Sequence, residues 1–436
     1  MRRLRPALAN LFGGRTRRSV IALVAATLMV PLLATAAVAA TQQPALGSAK
    51  VDKLIIKVTP RNTHPATPTT GGGISDSQLL RKRPAHAHAL SAATPLTGQD
   101  DMTVDECRAH PSAFSGAGYG KSRFISCQAA TITLTHEVCD LFGCDILGVG
   151  TFDMTDLQHG NNGSRFVDIV QVLGNWHLSG DIGSTTLTSQ MQCAAAATGP
   201  CLPDGVFGGP YTATVAEWAA GGAFASNFFE FSQPDSSGTG PDLVSFADLN
   251  WGFTLTAPGA PPASASGPPS RFRCDAAPYI VSTAAGPGCV FAWVTETLHY
   301  SLTGPAAQAA SHIWVAQNFP GVTLPPKANK AIPGAPGTSP LHRTTDQQLI
   351  DAHRATARTT CNRYFPGYAR MGLQCDEYPF ARTLEGADSA TDNYSASPIL
   401  ARDNQSAGGS LGNFYSFRRL LGDSIFNDPF FVQIDP

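Results

Sequence analysis

The sequence has little charge for its length. Only 14% of its 436 residues are Asp, Glu, Lys or Arg, and the formal net charge is -2, whereas about 25% of an average soluble chain is charged. This excludes a protein that holds nucleic acid by bulk positive charge, because such proteins are clearly basic. Any binding of a polyanion must therefore depend on a local site.

Two residue types are missing from the C-terminal region. No lysine follows Lys330 and no histidine follows His353. Positive charge there must come from arginine, and a histidine general base would have to be His342, His353 or a residue from elsewhere in the chain. The scarcity of histidine favours chemistry that is carried by carboxylates.

A long apolar run, Val20 to Ala39, follows the basic segment Met1 to Arg18 and ends in the small residues Ala37-Val38-Ala39. This order predicts a secretory signal peptide over residues 1–40. A membrane anchor is the alternative, because the run is almost long enough to span a bilayer. The pair Arg17-Arg18 also resembles a twin-arginine signal. We therefore expect a secreted protein, exported by the Sec or twin-arginine route, with no stable membrane span after cleavage.

The chain has ten cysteines, and an even number in an exported protein predicts disulfides. Most of them have a near neighbour in the sequence, which favours local pairing and leaves Cys107 for Cys127. A zinc site would need two close thiolate pairs with ligand spacing and a reducing compartment, and neither is indicated. The predicted pairs are Cys107–Cys127, Cys139–Cys144, Cys193–Cys201, Cys274–Cys289 and Cys361–Cys375.

Composition divides the rest of the chain into segments. Residues 41–98 are poor in aromatics and rich in Thr, Pro, Ala and Gly, which predicts a flexible low-complexity stalk. In residues 99–257, β-branched and aromatic residues alternate with period two between turn residues, as in Phe166 to Val172. This pattern predicts an antiparallel β-sandwich. We assign no chemistry to this β-rich domain, and its partner is not identified.

The second half of the chain is divided by Pro-rich stretches. We predict a Pro/Gly linker at 258–272, a β/helix bridging segment at 273–324, a second linker at 325–340 and a final domain at 341–436. In the final domain Thr345 stands three residues before Gln348, as in a capping box, which predicts a helix over residues 346–358.

Polar residues that suit catalysis concentrate in this final domain, where Asp376 and Glu377 are adjacent and Glu385 and Asn404 follow. Adjacent carboxylates point to opposite sides of a strand, although in a turn before Pro379 both could converge. Carboxylate and amide oxygens are hard ligands that suit Mg²⁺, Mn²⁺ or Ca²⁺. A hydrated divalent ion is what phosphodiester hydrolysis needs.

Six short motifs from this region match, in order and approximate spacing, a known family. They are Cys375-Asp376-Glu377-Tyr378-Pro379-Phe380-Ala381, Glu385-Gly386, Asn404-Gln405-Ser406-Ala407-Gly408-Gly409-Ser410-Leu411, Phe414-Tyr415 and Asp428-Pro429-Phe430-Phe431-Val432, together with the lead-in from Pro340. Residues 341–436 thereby resemble the NucA/NucB deoxyribonucleases. The resemblance implies a compact α+β nuclease, so the predicted fold class is multidomain: an all-β, sandwich-like N-terminal domain followed by a small α+β nuclease domain.

The resemblance also implies roles for single residues. Asp376, Glu377 and Glu385 fall on the family's acids, as ligands of Mg²⁺ or Mn²⁺ or as the general base, and Asn404 would orient the phosphate or an acid. The expected substrate is DNA, cut without sequence preference. Phosphate contacts would come from arginines. The candidates are Arg382, Arg402, Arg418 and Arg419.

Three departures from the family pattern leave an alternative open. Asp403 stands where many relatives have Glu, residues 388–402 lack a further cysteine pair, and the ending before Asp428 is altered. The predicted function is a secreted, metal-dependent endodeoxyribonuclease. The alternative is a catalytically inactive binding or cell-envelope structural protein that reuses the fold.

Overall fold

A computed structural model of the chain describes residues 50–59, 102–196, 199–203, 209–221, 226–280, 286–387, 391–422 and 427–436. The predicted signal peptide at 1–40 lies outside the described residues. No helix in these described ranges is long and apolar enough to cross a membrane.

The described residues form eighteen strands and five α-helices, with short 3₁₀ turns between them. The strands are β1 Val51–Thr59, β2 Tyr119–Ser122, β3 Ile125–Asp140, β4 Gly143–Gly160, β5 Phe166–Gly180, β6 Thr186–Ala196, β7 Leu202–Pro203, β8 Tyr211–Thr214, β9 Ser226–Ser232, β10 Ser245–Ala257, β11 Ala260–Ser266, β12 Ser270–Asp275, β13 Gly288–Val290, β14 Glu296–Ser301, β15 Leu341–His342, β16 Leu373–Tyr378, β17 Ser395–Leu400 and β18 Pro429–Asp435. The helices are α1 Val104–Ala109, α2 Val215–Ala220, α3 Ala307–Asn318, α4 Gln347–Tyr364 and α5 Ala401–Phe417.

The N-terminal part is β-rich, as predicted, and consists of two sheets. The first has the order β1-β3-β4-β5-β9-β7, with β2 on the side of β3, and the second has the order β13-β12-β10-β6-β8, with β11 on the side of β10. Inward-facing apolar residues from both sheets, such as Ile132, Phe152, Leu249 and Phe253, form one core. Buried and partly exposed side chains alternate over much of β3, β4 and β5, which is why the period-two pattern was visible in the sequence.

The structure corrects two of the predicted segments in this part. Residues 258–272 are not a linker, because β11 and β12 occupy most of them. Pro261 and Pro262 are tolerated in β11 because this strand pairs only with β10 and is an edge strand. The predicted stalk at 41–98 contains β1, which pairs with β3 along its whole length.

The C-terminal part is α+β. A three-stranded sheet, β14-β18-β15, and a hairpin, β16-β17, are packed with α3, α4 and α5. The predicted bridging segment at 273–324 is divided, because β13 belongs to the β-rich part whereas β14 pairs with β18 and α3 packs against α5. The predicted linker at 325–340 is also packed: Ile332 is in the C-terminal core, and Gly334 accepts a hydrogen bond from the backbone N–H of Val432.

All five predicted cysteine pairs lie at disulfide distance, and no described cysteine is free. The helix predicted over 346–358 is α4, which continues to Tyr364. Its N-cap is Asp346, whose side chain accepts from the backbone N–H groups of Gln348 and Leu349. The capping-box pattern predicted the start of the helix correctly, but it indicated Thr345 as the N-cap, whereas the N-cap is Asp346.

A buried charge cluster joins the two parts of the fold. Asp428, just before β18, lies 2.8 Å from Arg123 and 2.6 Å from Arg273. Arg419, just after α5, lies 2.5 Å from Asp275 of β12. All three arginines are inaccessible to solvent. The carboxylate of the C-terminal part thus neutralises buried arginines of the β-rich part, and the carboxylate of β12 neutralises the buried Arg419.

Candidate active site

The disulfide Cys361–Cys375 sets the geometry of the region that contains the predicted acids. It joins the last turn of α4 to β16. The hairpin partner β17 pairs with β16 in the register Asp376↔Ser397, Glu377↔Ala396 and Tyr378↔Ser395. Because side chains alternate along a strand, Cys375 and Glu377 lie on the face toward α4, and Asp376 and Tyr378 lie on the opposite face.

Asp376 is buried on its face beneath α3. Its carboxylate Oδ2 lies 2.6 Å from Nδ1 of His312, and Nε2 of the same ring lies 2.7 Å from Oγ of Ser395. Carboxylate, imidazole and hydroxyl stand in the order found in serine hydrolases. Ser395 is only 2% exposed, so no substrate reaches its hydroxyl. This chain of hydrogen bonds therefore fixes Asp376 and does not supply a nucleophile.

Glu377, on the other face of β16, is partly buried and lies near two arginines of α4. Burial and then the adjacent charge of Asp376 raise its pKa to about 8, against the lowering effect of Arg354, Arg358 and the backbone N–H of Ala381. A carboxyl with this pKa is largely protonated at neutral pH, and a nearby cation would favour its charged form. Glu377 is thus the predicted acid whose environment is most strongly perturbed.

Glu385 is held by a single residue. Its Oε2 accepts the backbone N–H of His342 at 2.9 Å, and its Oε1 lies 2.7 Å from Nδ1 of the same residue. The hydrogen bond to Glu385 raises the pKa of His342. Both side chains are partly exposed, and Nε2 of the imidazole points away from this bond. Glu385 therefore orients a histidine, which is the arrangement of a general base with its supporting carboxylate.

His353 supports the loop that connects these two acids. Its Nδ1 lies 2.9 Å from the carbonyl oxygen of Ala381, and its ring is fully buried. A Cβ at position 386 would lie 2.2 Å from Nδ1 of this ring. The glycine of the Glu-Gly motif is therefore a steric requirement, since only glycine lets the loop pass over the histidine. Glu377 stands at one end of the loop and Glu385 at the other.

Asn404 lies in the first turn of α5 and contacts β16. Its Nδ2 donates to the carbonyl oxygen of Cys375 at 3.4 Å and to Oε1 of Gln374 at 3.3 Å. These long hydrogen bonds tie the start of α5 to β16. A role for Asn404 in binding phosphate stays a prediction.

The structure corrects part of the predicted arginine set. Arg419 is 0% exposed and is bound to Asp275 and Asn162, so it does not reach DNA. The backbone at Arg419 adopts a left-handed conformation with φ of 48°, which turns the chain after α5 toward the acid of β12. Arg418 pairs with Glu296 at 3.6 Å.

The other two predicted arginines remain at the surface. Arg402 pairs with its neighbour Asp403 at 3.1 Å, and Arg382 is exposed beside Ala381. Phosphate binding by either side chain remains a prediction.

Sequence reasoning missed three residues of this region. His312 was placed in the bridging segment, 64 positions from Asp376, and no local pattern connects the two. Arg354 and Arg358 were overlooked, although their spacing of four on a predicted helix puts them on one face. That spacing was a usable signal.

The predicted ligands are carboxylates, which suit a hard divalent cation, but they do not form a complete coordination sphere. Asp376 and Glu377 face opposite sides of β16. Within the described part of the chain, none of the predicted acids belongs to a group of three possible ligands whose donor atoms all lie within 4.8 Å of one another. Mg²⁺ is nevertheless commonly bound by one or two carboxylates, with water as the remaining ligands. A partly exposed carboxylate such as Glu377 is sufficient for a site of that kind.

Comparison with known proteins identifies one similar family. No curated protein and no solved structure matches the chain. Residues 335–426, about a fifth of the sequence, match the family model described as Deoxyribonuclease NucA/NucB. The matched range contains Asp376, Glu377, Glu385 and Asn404. The C-terminal region of this chain is therefore similar to the NucA/NucB deoxyribonucleases.

Proposed function

We propose that the protein is a secreted endodeoxyribonuclease that hydrolyses DNA phosphodiester bonds without sequence preference and depends on Mg²⁺ or Mn²⁺. The observation that carries this proposal is the environment of Glu377, a partly buried carboxylate beside Asp376 that faces two arginines across α4 and β16. Secretion is supported by the five disulfides, since such bonds persist in oxidising compartments.

Glu377 is the residue that would hold the cation, with water completing its coordination. The buried negative charge of Asp376 next to it makes this position favourable for a cation, since two neighbouring carboxylates repel each other unless positive charge lies between or beside them. A divalent ion bound there would neutralise phosphate charge and acidify a water molecule. Asp376, fixed by His312 and Ser395, is a positioning residue that keeps β16 in place.

His342 is the group that would move a proton. Its Nδ1 is occupied by Glu385, which leaves Nε2 to accept a proton from the attacking water or return one to the leaving oxygen. Glu385, predicted as a metal ligand or base, thus acts through the histidine in this proposal. The sequence leaves a histidine base open, and the contact with Glu385 supports His342 over His353, whose Nδ1 is hydrogen-bonded to the carbonyl oxygen of Ala381.

The proposal is tested by incubating the purified protein, with its disulfides formed, with supercoiled plasmid in Mg²⁺ or Mn²⁺ and then in EDTA. We expect nicked and linear products that disappear with EDTA. Glu377→Gln should abolish cutting, whereas Glu137→Gln, which removes a carboxylate from a surface pair with Lys53, should leave it unchanged. A folded protein that shows no EDTA-sensitive cleavage, or full activity in Glu377→Gln, would refute the proposal.

A further inference from the structure

Helix α4 presents two arginines that the fold does not use. Arg354 and Arg358 are four residues apart, next to the buried stripe that contains Ala357 and Cys361. Among the described residues, Arg358 is exposed and has no ion-pair or hydrogen-bond partner. Arg354 has a weak partner, Asp351 at 3.6 Å, in a pair that is open to solvent. Exposed pairs of this kind contribute little, so both guanidinium groups are available to a ligand.

The disulfide places these arginines beside the proposed reaction centre. Cys361 bonds to Cys375, and Glu377 is the next residue on the same face of β16. Arg358 is one turn before Cys361 and Arg354 is two turns before it. The positive charges of both arginines lower the pKa of the Glu377 carboxyl, which agrees with this placement.

We propose that Arg354 and Arg358 bind the backbone phosphates of the DNA strand that is cut at Glu377, a role that rests on the proposed nuclease function. Residues four apart on a helix are about 6 Å apart along its axis, so two long side chains reach neighbouring phosphates of one strand. The guanidinium fork suits bidentate contact with phosphate oxygens. Contacts of this type carry no sequence information, which agrees with cutting at any sequence.

The four arginines predicted from the sequence offer no equivalent pair in the described residues, because Arg382 alone among them is exposed without an ion pair. Arg419 is buried against Asp275, Arg418 pairs with Glu296, and Arg402 pairs with Asp403. Because the whole chain carries a net charge of -2, affinity for DNA must come from such a local concentration of free positive charge. The arginines of α4 therefore replace Arg418 and Arg419 as the phosphate-binding residues.

The test measures binding separately from cutting. The full chain is titrated against a fluorescent duplex oligonucleotide by anisotropy, in EDTA, at several salt concentrations, and the DNA is checked for integrity afterwards. Each phosphate contact contributes about 0.9 to the slope of log K against log salt, which corresponds to about tenfold in affinity at 0.1 M salt. Arg354→Gln and Arg358→Gln should each lose that amount, and the double variant should lose about a hundredfold.

Three further variants make the outcome decisive. Arg363→Gln removes an exposed arginine of the same helix that stacks on Tyr364, and it should leave slope and affinity unchanged. Arg358→Lys should keep the slope, because the charge remains. Asp351→Asn should tighten binding by freeing Arg354. An unchanged slope in the double variant, or an equal loss in Arg363→Gln, overturns the proposal. If the wild type binds DNA with the expected slope but never cuts it, the nuclease function fails and the binding site stands.

Discussion

Removal of the charge on Asp428 tests whether the buried cluster holds the two parts of the fold together. This carboxylate contacts Arg123 and Arg273 and accepts the backbone N–H of Leu421 at 2.8 Å. Burial alone would raise the pKa of Asp428, but the charges of Arg123 and Arg273 outweigh burial and lower it. Asp428→Asn keeps the shape of the side chain but leaves both guanidinium groups without this counter-charge.

The expected loss follows from the burial of both arginines. Breaking a fully buried ion pair by removing one partner costs about 3–5 kcal/mol, because the remaining charge is left uncompensated. For the roughly 320 residues that the structure describes, an unfolding entropy of about 2.1 cal/mol/K per residue converts this cost into a fall in Tm of about 4–7 °C. If the C-terminal part unfolds separately, its smaller entropy makes the fall larger.

The matched control is Asp248→Asn. Asp248, like Asp428, uses both carboxylate oxygens in ion pairing, here with the single residue Arg271 at 2.8 Å for both bonds, but the guanidinium is 59% exposed. Surface pairs of this kind are worth about 0–1 kcal/mol. Urea unfolding followed by circular dichroism and calorimetry measures both variants. Equal losses in the two, or a loss below 1 kcal/mol in Asp428→Asn, would show that burial does not decide the energetics here.

Three other predictions follow from single positions. Glu385→Gln should lower the raised pKa of His342 toward its ordinary value, measured by NMR titration, and remove most DNA cleavage. Burial raises the pKa of Asp156 to about 7, so the stability linked to its protonated form is fully present below about pH 4 and is lost as pH rises through 7. Asp156→Asn should remove this pH dependence, which amounts to about 2–3 kcal/mol between pH 5 and 8 in urea melts. Gly386→Ala should destabilise and inactivate the protein because its Cβ meets a buried imidazole, whereas Gly408→Ala, with open space around it in α5, should raise Tm slightly.

Local patterns in the sequence predicted the features that depend on neighbouring residues. Cysteines close in sequence are paired, because short loops cost little entropy to close. The alternation of side chains along a strand correctly predicted that Asp376 and Glu377 lie on opposite faces of β16. The start of α4 was visible because a polar cap precedes an amphipathic stretch. Each of these follows from interactions within about twenty residues.

Features that depend on distant contacts could not be predicted in this way. The local sequence around Arg419 is typical of a surface arginine that binds phosphate. The side chain is instead buried in an ion pair with Asp275, which lies 144 positions away in the sequence. Similarly, the proline-rich segment that forms β11 has the composition of a linker. It becomes a strand because the part of β10 that extends beyond its pairing with β12 offers backbone hydrogen bonds that need no particular side chains.

The position of His312 implies that the working unit is larger than the region that matches the family. The match begins at residue 335, but His312 of α3 fixes Asp376, and Glu296 of β14 pairs with Arg418. β14 also forms the parallel edge of the sheet whose central strand, β18, lies after the match. A polypeptide restricted to residues 335–426 would expose Asp376 without its imidazole partner and leave Leu411 and its core neighbours uncovered. The segment before the match is thus part of the same folded domain, and the buried arginines extend that dependence into the β-rich part.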